Sequence, residues 1–317
     1  DGDEDADQDT ISNADEDVLR TWAWTNDTDD DGETDNSELE MGTSPVESLD
    51  PFVSRVLQLD GTGDLARVAG DLDRSGSAGY EFDTAFTLEA WIKPANTDGG
   101  VIVRKTRSID GLANYEMGLN SSNQLYLAYQ SASGLTQTVT LETMFLPEDE
   151  WTYVATTFSG AYTVDTDNDA INDSDWRVAV ALYASVPRDG TRFEDFTFTG
   201  QASIVPVTGL GDLTFGEGLE GEVDEVRVWN FARAATTLLS NNNRFLPLTD
   251  PQVLANPTIP RTDPEEARLI GYWRFDDGGT HSEDFTLHHT ADLDPDWPTA
   301  ARLVADAVMV DGLSGLE

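Results

Sequence analysis

From residue 55 onward, short apolar stretches alternate with polar residues and are separated by Gly, Asn, Asp and Ser. An alternation with a period of two over four to nine residues is typical of β-strands with one buried face. The strand-like segments are VLQLDG, FTLEAWIKP, VIVRK, YEMGLN, QLYLAYQ, TVTLET, WTYVATTF, RVAVALYA, FEDFTFTG, DLTFG and EVDEVRVW. Residues 55–230 show no convincing helical periodicity. Because each antiparallel sheet must bury its apolar face, the pattern predicts an all-β fold, an antiparallel β-sandwich or jelly roll.

The chain is strongly acidic, with 61 Asp and Glu against 18 Lys and Arg and a net charge of −43. The first 50 residues hold 19 of these acids and a single basic residue, Arg20. Such a field repels nucleic acid and anionic membranes, so we exclude nucleic-acid binding. No apolar run approaches the length of about 18 residues that a membrane span needs. The preference for Asp and Arg over Glu and Lys resembles the composition of proteins from salt-loving microbes.

The acidic start contains two copies of the spacing found in twelve-residue calcium loops, 22 residues apart. The first loop offers ligands at positions 1, 3, 5, 7, 9 and 12 from Asp5, Asp7, Asp9, the Ile11 carbonyl, Asn13 and Glu16. The second loop offers Asp27, Asp29, Asp31, the Glu33 carbonyl, Asp35 and Glu38. Thr10 occupies the position where glycine is preferred, and we expect it to weaken the first loop. The alternative interpretation is a solvated acidic linker.

With the trailing EMGTSPVESLDPF, residues 1–52 resemble the thrombospondin type 3 calcium repeats that act as spacers in microbial surface proteins. The resemblance implies a stiff spacer that binds Ca2+, and an extracellular or cell-surface location. No long amphipathic helices flank the loops, so a sensor of the EF-hand type is not expected.

The segments VLQLDGTGDLARV, FTLEAWIKP, YEMGLNSSNQLYLAY, LPEDEWTYVATTF, VALYASV and LTFGEGLEGEVDEVRVWNFARA follow one another in a characteristic order. The set resembles the laminin-G/pentraxin-like branch of the concanavalin A-like jelly rolls, over roughly residues 55–240. It implies a sandwich domain at 53–245, preceded by the irregular calcium-loop segment. In that family a calcium ion can lie at the rim of the sandwich, where Asp60, Asp64 and Asp224 are the candidate ligands here. The alternative for Asp60 is a simple turn at the end of a strand.

A third loop-like spacing lies between two predicted strands, in VDTDNDAINDSDW. Its candidate calcium ligands are Asp165, Asp167, Asp169 and Asp173. It lacks the glycine, which is replaced by Ala170, and has Trp176 where the closing acid belongs, although Asp175 can substitute. The alternative is a solvated hairpin tip.

Residues 246–317 form a C-terminal extension whose end, AVMVDGLSGLE, echoes VLQLDGTGDLA at 56–66. The echo predicts either a strand at 303–313 that returns to a laminin-G-like sheet, or the start of a following module. In the first case, Val308 and Val310 are expected on the buried face. Docking of such a strand on a neighbouring copy would support head-to-tail assembly.

Candidate catalytic residues are few. Glycosidases of this fold place three acids on one strand, but GEVDEVRVW supplies only Glu222 and Asp224, with Val226 or Arg227 in the third place. The three histidines, His281, His288 and His289, are interpreted as surface residues, and Trp91, Trp151 and Trp229 as packing residues.

We therefore expect a non-enzymatic, calcium-stabilised extracellular adhesion or structural module of a larger surface, matrix or filament protein. The alternative is a lectin-like module that binds glycans. Calcium, glycans and neighbouring copies of the chain are the expected partners.

Overall fold

The structure is a computed structural model that describes residues 4–29, 34–41, 44–46, 55–70, 80–165, 170–172, 174–186, 190–199, 204–241, 268–275, 281–282, 301–304 and 308–311. Its three helices are α1 (Asn13–Leu19), α2 (Asp35–Met41) and α3 (Ala235–Asn241). Its strands are β1 (Arg55–Asp60), β2 (Leu65–Val68), β3 (Ala85–Pro94), β4 (Gly100–Thr106), β5 (Ala113–Leu119), β6 (Leu125–Gln130), β7 (Thr136–Thr140), β8 (Thr152–Val164), β9 (Ser174–Val186), β10 (Gly190–Thr199), β11 (Leu213–Phe215), β12 (Glu220–Trp229), β13 (Leu269–Trp273), β14 (His281–Ser282), β15 (Ala301–Val304) and β16 (Val308–Asp311). No helix in the described part of the chain has the length and hydropathy of a membrane span.

The strands form two antiparallel eight-stranded sheets, which confirms the predicted β-sandwich. Sheet A has the order β10-β9-β8-β3-β12-β1-β16, with β13 also paired to β12. Sheet B has the order β14-β15-β2-β11-β4-β5-β6-β7. Strand β12 contains a bulge, because its register against β3 shifts between Asp224 and Arg227.

The main core lies between the sheets and is rich in aromatic rings. Phe86 stacks on Phe158 with ring centroids 5.0 Å apart and contacts Tyr115 at the same distance. In β3, Phe86, Leu88, Ala90 and Ile92 belong to this core. The alternate residues of that strand face the other side of sheet A, as the period of two requires.

A second, smaller cluster covers this other side of sheet A. Trp91 and Tyr153 pack there with Leu238 from α3, and Trp151 packs against them. Trp91 and Trp229 are buried, as expected of packing residues, but Trp91 lies on the face of sheet A away from sheet B. The arginine side chain of Arg233 lies 3.9 Å above the ring of Trp229.

Four charged side chains are buried beside this second cluster, and we call them the ion cluster: Glu89, Glu225, Arg227 and Arg233. Glu89 accepts a hydrogen bond of 2.5 Å from Arg233 Nη1, and Glu225 accepts one of 2.5 Å from Arg227 Nη2. Arg227 also lies 3.5 Å from the Glu89 carboxylate. Each carboxylate of the ion cluster therefore has a guanidinium partner supplied by the same domain.

The C-terminal segment divides between the two sheets, where the sequence predicts one strand over 303–313. β15 pairs with β2 in sheet B, and β16 pairs with β1 in sheet A. In the second pairing Val310 lies opposite Val56, and Val308 lies opposite Gln58. The segment that echoes the first strand thus pairs with that strand within one chain.

Candidate metal centre

The two predicted calcium loops make the same contacts, displaced by 22 residues. The backbone N–H of Asn13 donates to the Glu4 carbonyl at 2.8 Å, and that of Asp35 donates to the Asn26 carbonyl at 2.9 Å. The side chain of Asn13 accepts from the Ala6 N–H at 3.1 Å. The Asp35 carboxylate likewise accepts from the Thr28 N–H at 2.8 Å. Both loops are therefore braced by the residue at position 9, which holds the backbone at position 2.

In the first loop, Asp5, Asp7 and Asp9 each present a carboxylate oxygen within 4.8 Å of the other two. Local backbone donors bring them together: Asp5 accepts from the Thr10 N–H at 3.1 Å, and Asp9 accepts from the Ile11 N–H at 2.8 Å. The second oxygens of Asp7 and Asp9 are buried and accept no hydrogen bond from the described residues. Three carboxylates therefore lie close together, and two of their oxygens remain available to a ligand from solution.

Glu16 completes the loop from the first turn of α1. Ser12 caps this helix and accepts from the Asp15 N–H at 3.3 Å, which fixes where the helix begins. The Glu16 side chain is 0% exposed, and neither of its oxygens has a hydrogen-bond donor among the residues described. Burial raises the pKa of Glu16, and the nearby charges of Asp7 and Asp9 raise it further.

Burial also raises the pKa of Asp9, with Asp7 and Asp5 adding to the effect. A buried carboxylate without a compensating partner costs several kcal/mol. The first loop therefore concentrates donor-free carboxylate oxygens that a cation would satisfy.

Thr10 keeps the loop closed without the expected glycine. Its φ is 81°, in the left-handed region that glycine adopts freely. A residue with a branched Cβ costs about 1–2 kcal/mol in this conformation. The loop keeps its conformation with threonine in place of glycine, and the cost is strain in the backbone of Thr10.

The second loop shows the same features in its described part. Asp35 and Glu38, at positions 9 and 12, are both 0% exposed. The Asp35 carboxylate accepts from the Thr28 hydroxyl at 2.8 Å, while burial raises its pKa. Asp31 and Glu33 lie outside the described residues. Thr28 was not singled out from the sequence, although aligning the repeats at 22 residues matches it to Ala6.

The hairpin between β8 and β9 repeats one element of the first loop. Asp165 accepts from the Ala170 N–H at 2.9 Å, as Asp5 does from Thr10, and Ala170 has a φ of 73°. Asp167, Asp169 and Asp173 lie outside the described residues. One oxygen of the Asp175 carboxylate accepts hydrogen bonds from Thr163 and from Arg177, at 3.0 Å each.

At the rim of the sandwich, Asp60 and Asp64 lie together but Asp224 does not join them. Asp64 is 1% exposed and accepts from the Asp60 N–H at 2.6 Å. Asp60 also accepts from the Thr62 N–H at 2.7 Å, which forms the turn that ends β1. On β12, Asp60 pairs with Glu220, four residues before Asp224. The register of the strands therefore separates the three residues predicted to share a rim calcium.

A family model described as the Concanavalin A-like lectin/glucanases superfamily matches residues 71–238. No curated protein matches the chain in sequence. Among solved structures, a heptameric SAP-like pentraxin from Limulus polyphemus is similar at 16% identity, with 57% of this chain and 82% of that chain covered and a TM-score of 0.32.

Another similar structure is CBM40 of the IT-sialidase of Ruminococcus gnavus, bound to α2,3-sialyllactose, at 11% identity, 58% and 94% coverage and a TM-score of 0.38. The binding domain of botulinum neurotoxin serotype D is similar at 10% identity, 59% and 41% coverage and a TM-score of 0.35. At these identities the likeness concerns the fold alone. Since the family model spans more than half of the chain, this protein belongs to the laminin-G-like family of the Concanavalin A-like lectin/glucanases superfamily.

Proposed function

We propose that residues 4–41 form a calcium-stabilised spacer in front of a non-enzymatic laminin-G-like module with an extracellular adhesion or structural role. The observation that carries the proposal is the Glu16 carboxylate, buried without a donor among the described residues and next to Asp7 and Asp9. Arg20 is the only basic residue in the first 50, so the required positive charge has to come mainly from solution.

The donor set favours Ca2+ over other metals. All the side chains offered by the two loops are carboxylates or an amide, together with a backbone carbonyl in each, and calcium takes six to eight such oxygens. Zinc prefers nitrogen and sulfur ligands, which these loops do not contain. Magnesium keeps several of its waters and demands a stricter octahedron. A closing glutamate that can bind through both oxygens suits the larger calcium ion.

Calcium would stabilise the folded conformation of the spacer. Two carboxylates about 4 Å apart repel by about 4 kcal/mol at an effective dielectric constant of 20. A bound ion reverses this repulsion and fixes the short helices α1 and α2 through Glu16 and Glu38. Extracellular calcium modules work at about 0.1–1 mM, a range that suits the proposed location.

The charge-neutral variants Glu16→Gln and Glu38→Gln test the proposal in the full chain. Each removes one closing carboxylate, so calorimetric titration with calcium should show one site weakened about tenfold or more, with the other site retained. Asp17→Asn is the matched control, since it removes the same charge from an exposed position of α1. Equal numbers and affinities of calcium sites in Glu16→Gln and the parent would refute the loop assignment.

The adhesion or structural role includes contact with neighbouring copies. β10 has a strand partner on one side only within the described part of the chain, and it is ten residues long. Unpaired backbone groups on a long edge strand can pair with another chain. Light scattering of the full chain in calcium and in chelator should show larger particles in calcium, and identical monomers in both conditions would exclude this role.

A further inference from the structure

The C-terminal strands β15 and β16 close one side of the sandwich, each in a different sheet. β15 pairs with β2 in sheet B, and β16 pairs with β1 at the edge of sheet A. Because β1 and β2 also follow each other along the chain, two consecutive strands lie beside two other consecutive strands. We call β15, β16 and the residues between them, 305–307, the C-terminal clasp.

The connection inside the clasp is short for the distance that it covers. It leads from Val304, the last residue of β15 in sheet B, to Val308, the first residue of β16 in sheet A. Packed sheets lie about 10 Å apart, whereas the four Cα–Cα steps between these residues span at most about 14 Å. The connection therefore has little length to spare for a crossing between sheets.

The turn between β1 and β2 makes the same crossing with more conformational freedom. It uses residues 61–64, and Gly61 and Gly63 have φ values of 80° and 87°, which glycine adopts without a steric penalty. The sequence of 305–307 is Ala-Asp-Ala, one residue shorter and without glycine. Short connections of this kind favour exchange of a strand between copies, because the exchanged chain no longer has to turn back onto its own molecule.

β16 is also the strand of the clasp that should detach more easily. It is the last strand of sheet A and has one strand partner in the described part of the chain, whereas β15 lies between β14 and β2. Its ladder with β1 has four residue pairs, and the pair at one end joins Arg55, where β1 begins, to Asp311, where β16 ends. β16 can therefore peel away from this end one pair at a time, as a low-energy local opening.

Detachment of β16 leaves β1 in place. Val56, Leu57 and Leu59 on β1 are at most 3% exposed, and β12 pairs with the other side of β1 over residues 57–60. The opened edge of β1 then presents backbone donors and acceptors that another strand can satisfy. The strand that fits this edge in register is β16, and every copy of the chain carries one.

We propose that β16 pairs with β1 of a second copy of this chain, and so links neighbouring copies through the edge of sheet A opposite β10. The exchanged pair keeps the register that places Val310 opposite Val56, so the same contacts form while the connection at 305–307 is relieved of its turn. The inference rests on the proposed contact between neighbouring copies and names a surface and a partner strand for it. It involves no calcium ligand.

Cysteine trapping tests the exchange directly, because the chain has no cysteine of its own. Gln58 lies opposite Val308 in the ladder, and disulfides form between residues whose Cα atoms are about 4.4–6.8 Å apart. Full-length copies carrying Gln58→Cys and copies carrying Val308→Cys, distinguished by mass, are co-expressed, purified together under reducing conditions and then oxidised. Each copy has a single cysteine, so a disulfide between the two positions requires two copies.

The matched control mixes Gln58→Cys with Thr138→Cys, a substitution at an exposed position of β7 in sheet B. Mass spectrometry of the cross-linked peptides should find the mixed disulfide at least about tenfold more abundant with Val308→Cys than with this control. Equal abundance in the two mixtures would overturn the proposal.

The length of the connection supplies a second test, which a strand with a purely structural role would not affect. Insertion of a Gly-Ser-Gly segment after Ala305 lets β16 reach β1 of its own chain without strain, so the mixed disulfide should fall about threefold or more. The same insertion after Ser133, in the turn between β6 and β7, should leave its yield unchanged. An unchanged or higher yield after the first insertion would also overturn the proposal.

The trapping should give the same yield in calcium and in chelator. Absence of the mixed disulfide would therefore refute the exchange while leaving the calcium sites untouched. Failure of the calcium titrations would in turn leave the exchange standing, so the two proposals fail separately.

Discussion

The spacer and the sandwich both bury carboxylates, but they neutralise them differently. Glu89 in the sandwich is 0% exposed and accepts from Arg233 at 2.5 Å and from the Tyr153 hydroxyl at 2.9 Å. Glu16 in the spacer is equally buried and has no donor among the described residues. The burial is the same, and the source of the compensating positive charge is different.

This difference follows from where the sequence places its arginines. Apart from Arg20, every basic residue of the chain follows residue 50, and Arg227 and Arg233 occupy the buried face that holds Glu89. A buried charge that loses its partner destabilises a fold by about 3–5 kcal/mol. The sandwich carries its own counter-charges and should fold without metal, whereas the spacer should depend on calcium in solution.

Removal of calcium should therefore produce the largest contrast between the two regions. Without calcium, the two seven-residue helices of the spacer are too short to be stable in water on their own. In chelator at about 0.01 M salt, where screening reaches about 30 Å, protease should cut residues 4–55 first. Mass spectrometry should then find a stable fragment beginning near residue 55. Prompt cleavage within 80–165 would contradict a self-sufficient sandwich.

Disruption of the ion cluster should give the next largest effect, a loss of stability in the sandwich. Glu89→Gln removes the carboxylate that Arg233 and Arg227 approach, so the sandwich should lose about 3–5 kcal/mol of unfolding free energy. Denaturant titration followed by tryptophan fluorescence, in saturating calcium, measures the loss.

Glu222→Gln is the control for this variant. Glu222 pairs with Lys93 at 3.0 Å, but both side chains are about one-fifth exposed, at 20% and 19%. Its loss should cost less than about 1 kcal/mol. Equal destabilisation by the two variants would show that the buried ion cluster contributes no more to stability than the partly exposed pair of Glu222 and Lys93.

Thr10→Gly should strengthen calcium binding at the first loop of the spacer. Relief of the left-handed threonine is worth about 1–2 kcal/mol, so calcium affinity at the first loop should rise about tenfold. The second loop serves as the internal control and should keep its affinity. A drop in affinity at the first loop would show that Thr10 contributes something other than strain.

Lys105 should give the smallest effect, a pH dependence confined to the sandwich. Its side chain is fully buried, donates to the Gly211 carbonyl, and burial lowers its pKa to about 8, partly offset by Glu81. Because the folded pKa lies below the unfolded value, the unfolded chain binds more protons between the two. Stability should therefore rise as the pH increases above about 8, by at most about 1.4 kcal/mol per pH unit.

Thermal melts between pH 7.5 and 9.5 measure this rise. Lys105→Met should abolish it, and Lys93→Met, at the other lysine of the chain, should leave it unchanged. A rise that persists in Lys105→Met would assign the pH dependence to another group.

The sequence predicts the sandwich because alternation with a period of two determines which face of each strand is buried. The acidic spacing also predicts that Asp5, Asp7 and Asp9 lie close together, as they do in the structure, while calcium binding at these positions stays a prediction. The burial of Glu16, the brace from Thr28 and the division of 303–313 between two sheets depend on tertiary contacts that no local pattern encodes. The separation of Asp224 from Asp60 depends on strand register.

The most direct test of the central claim is the number of calcium ions bound per chain in the parent and in the double variant Glu16→Gln/Glu38→Gln. Native mass spectrometry and elemental analysis after dialysis into about 1 mM calcium give this number independently of any further sites in the chain. The account predicts that the double variant binds fewer calcium ions, by about one per chain or more, with an unchanged melting transition of the sandwich. An equal calcium content in the two proteins would contradict it.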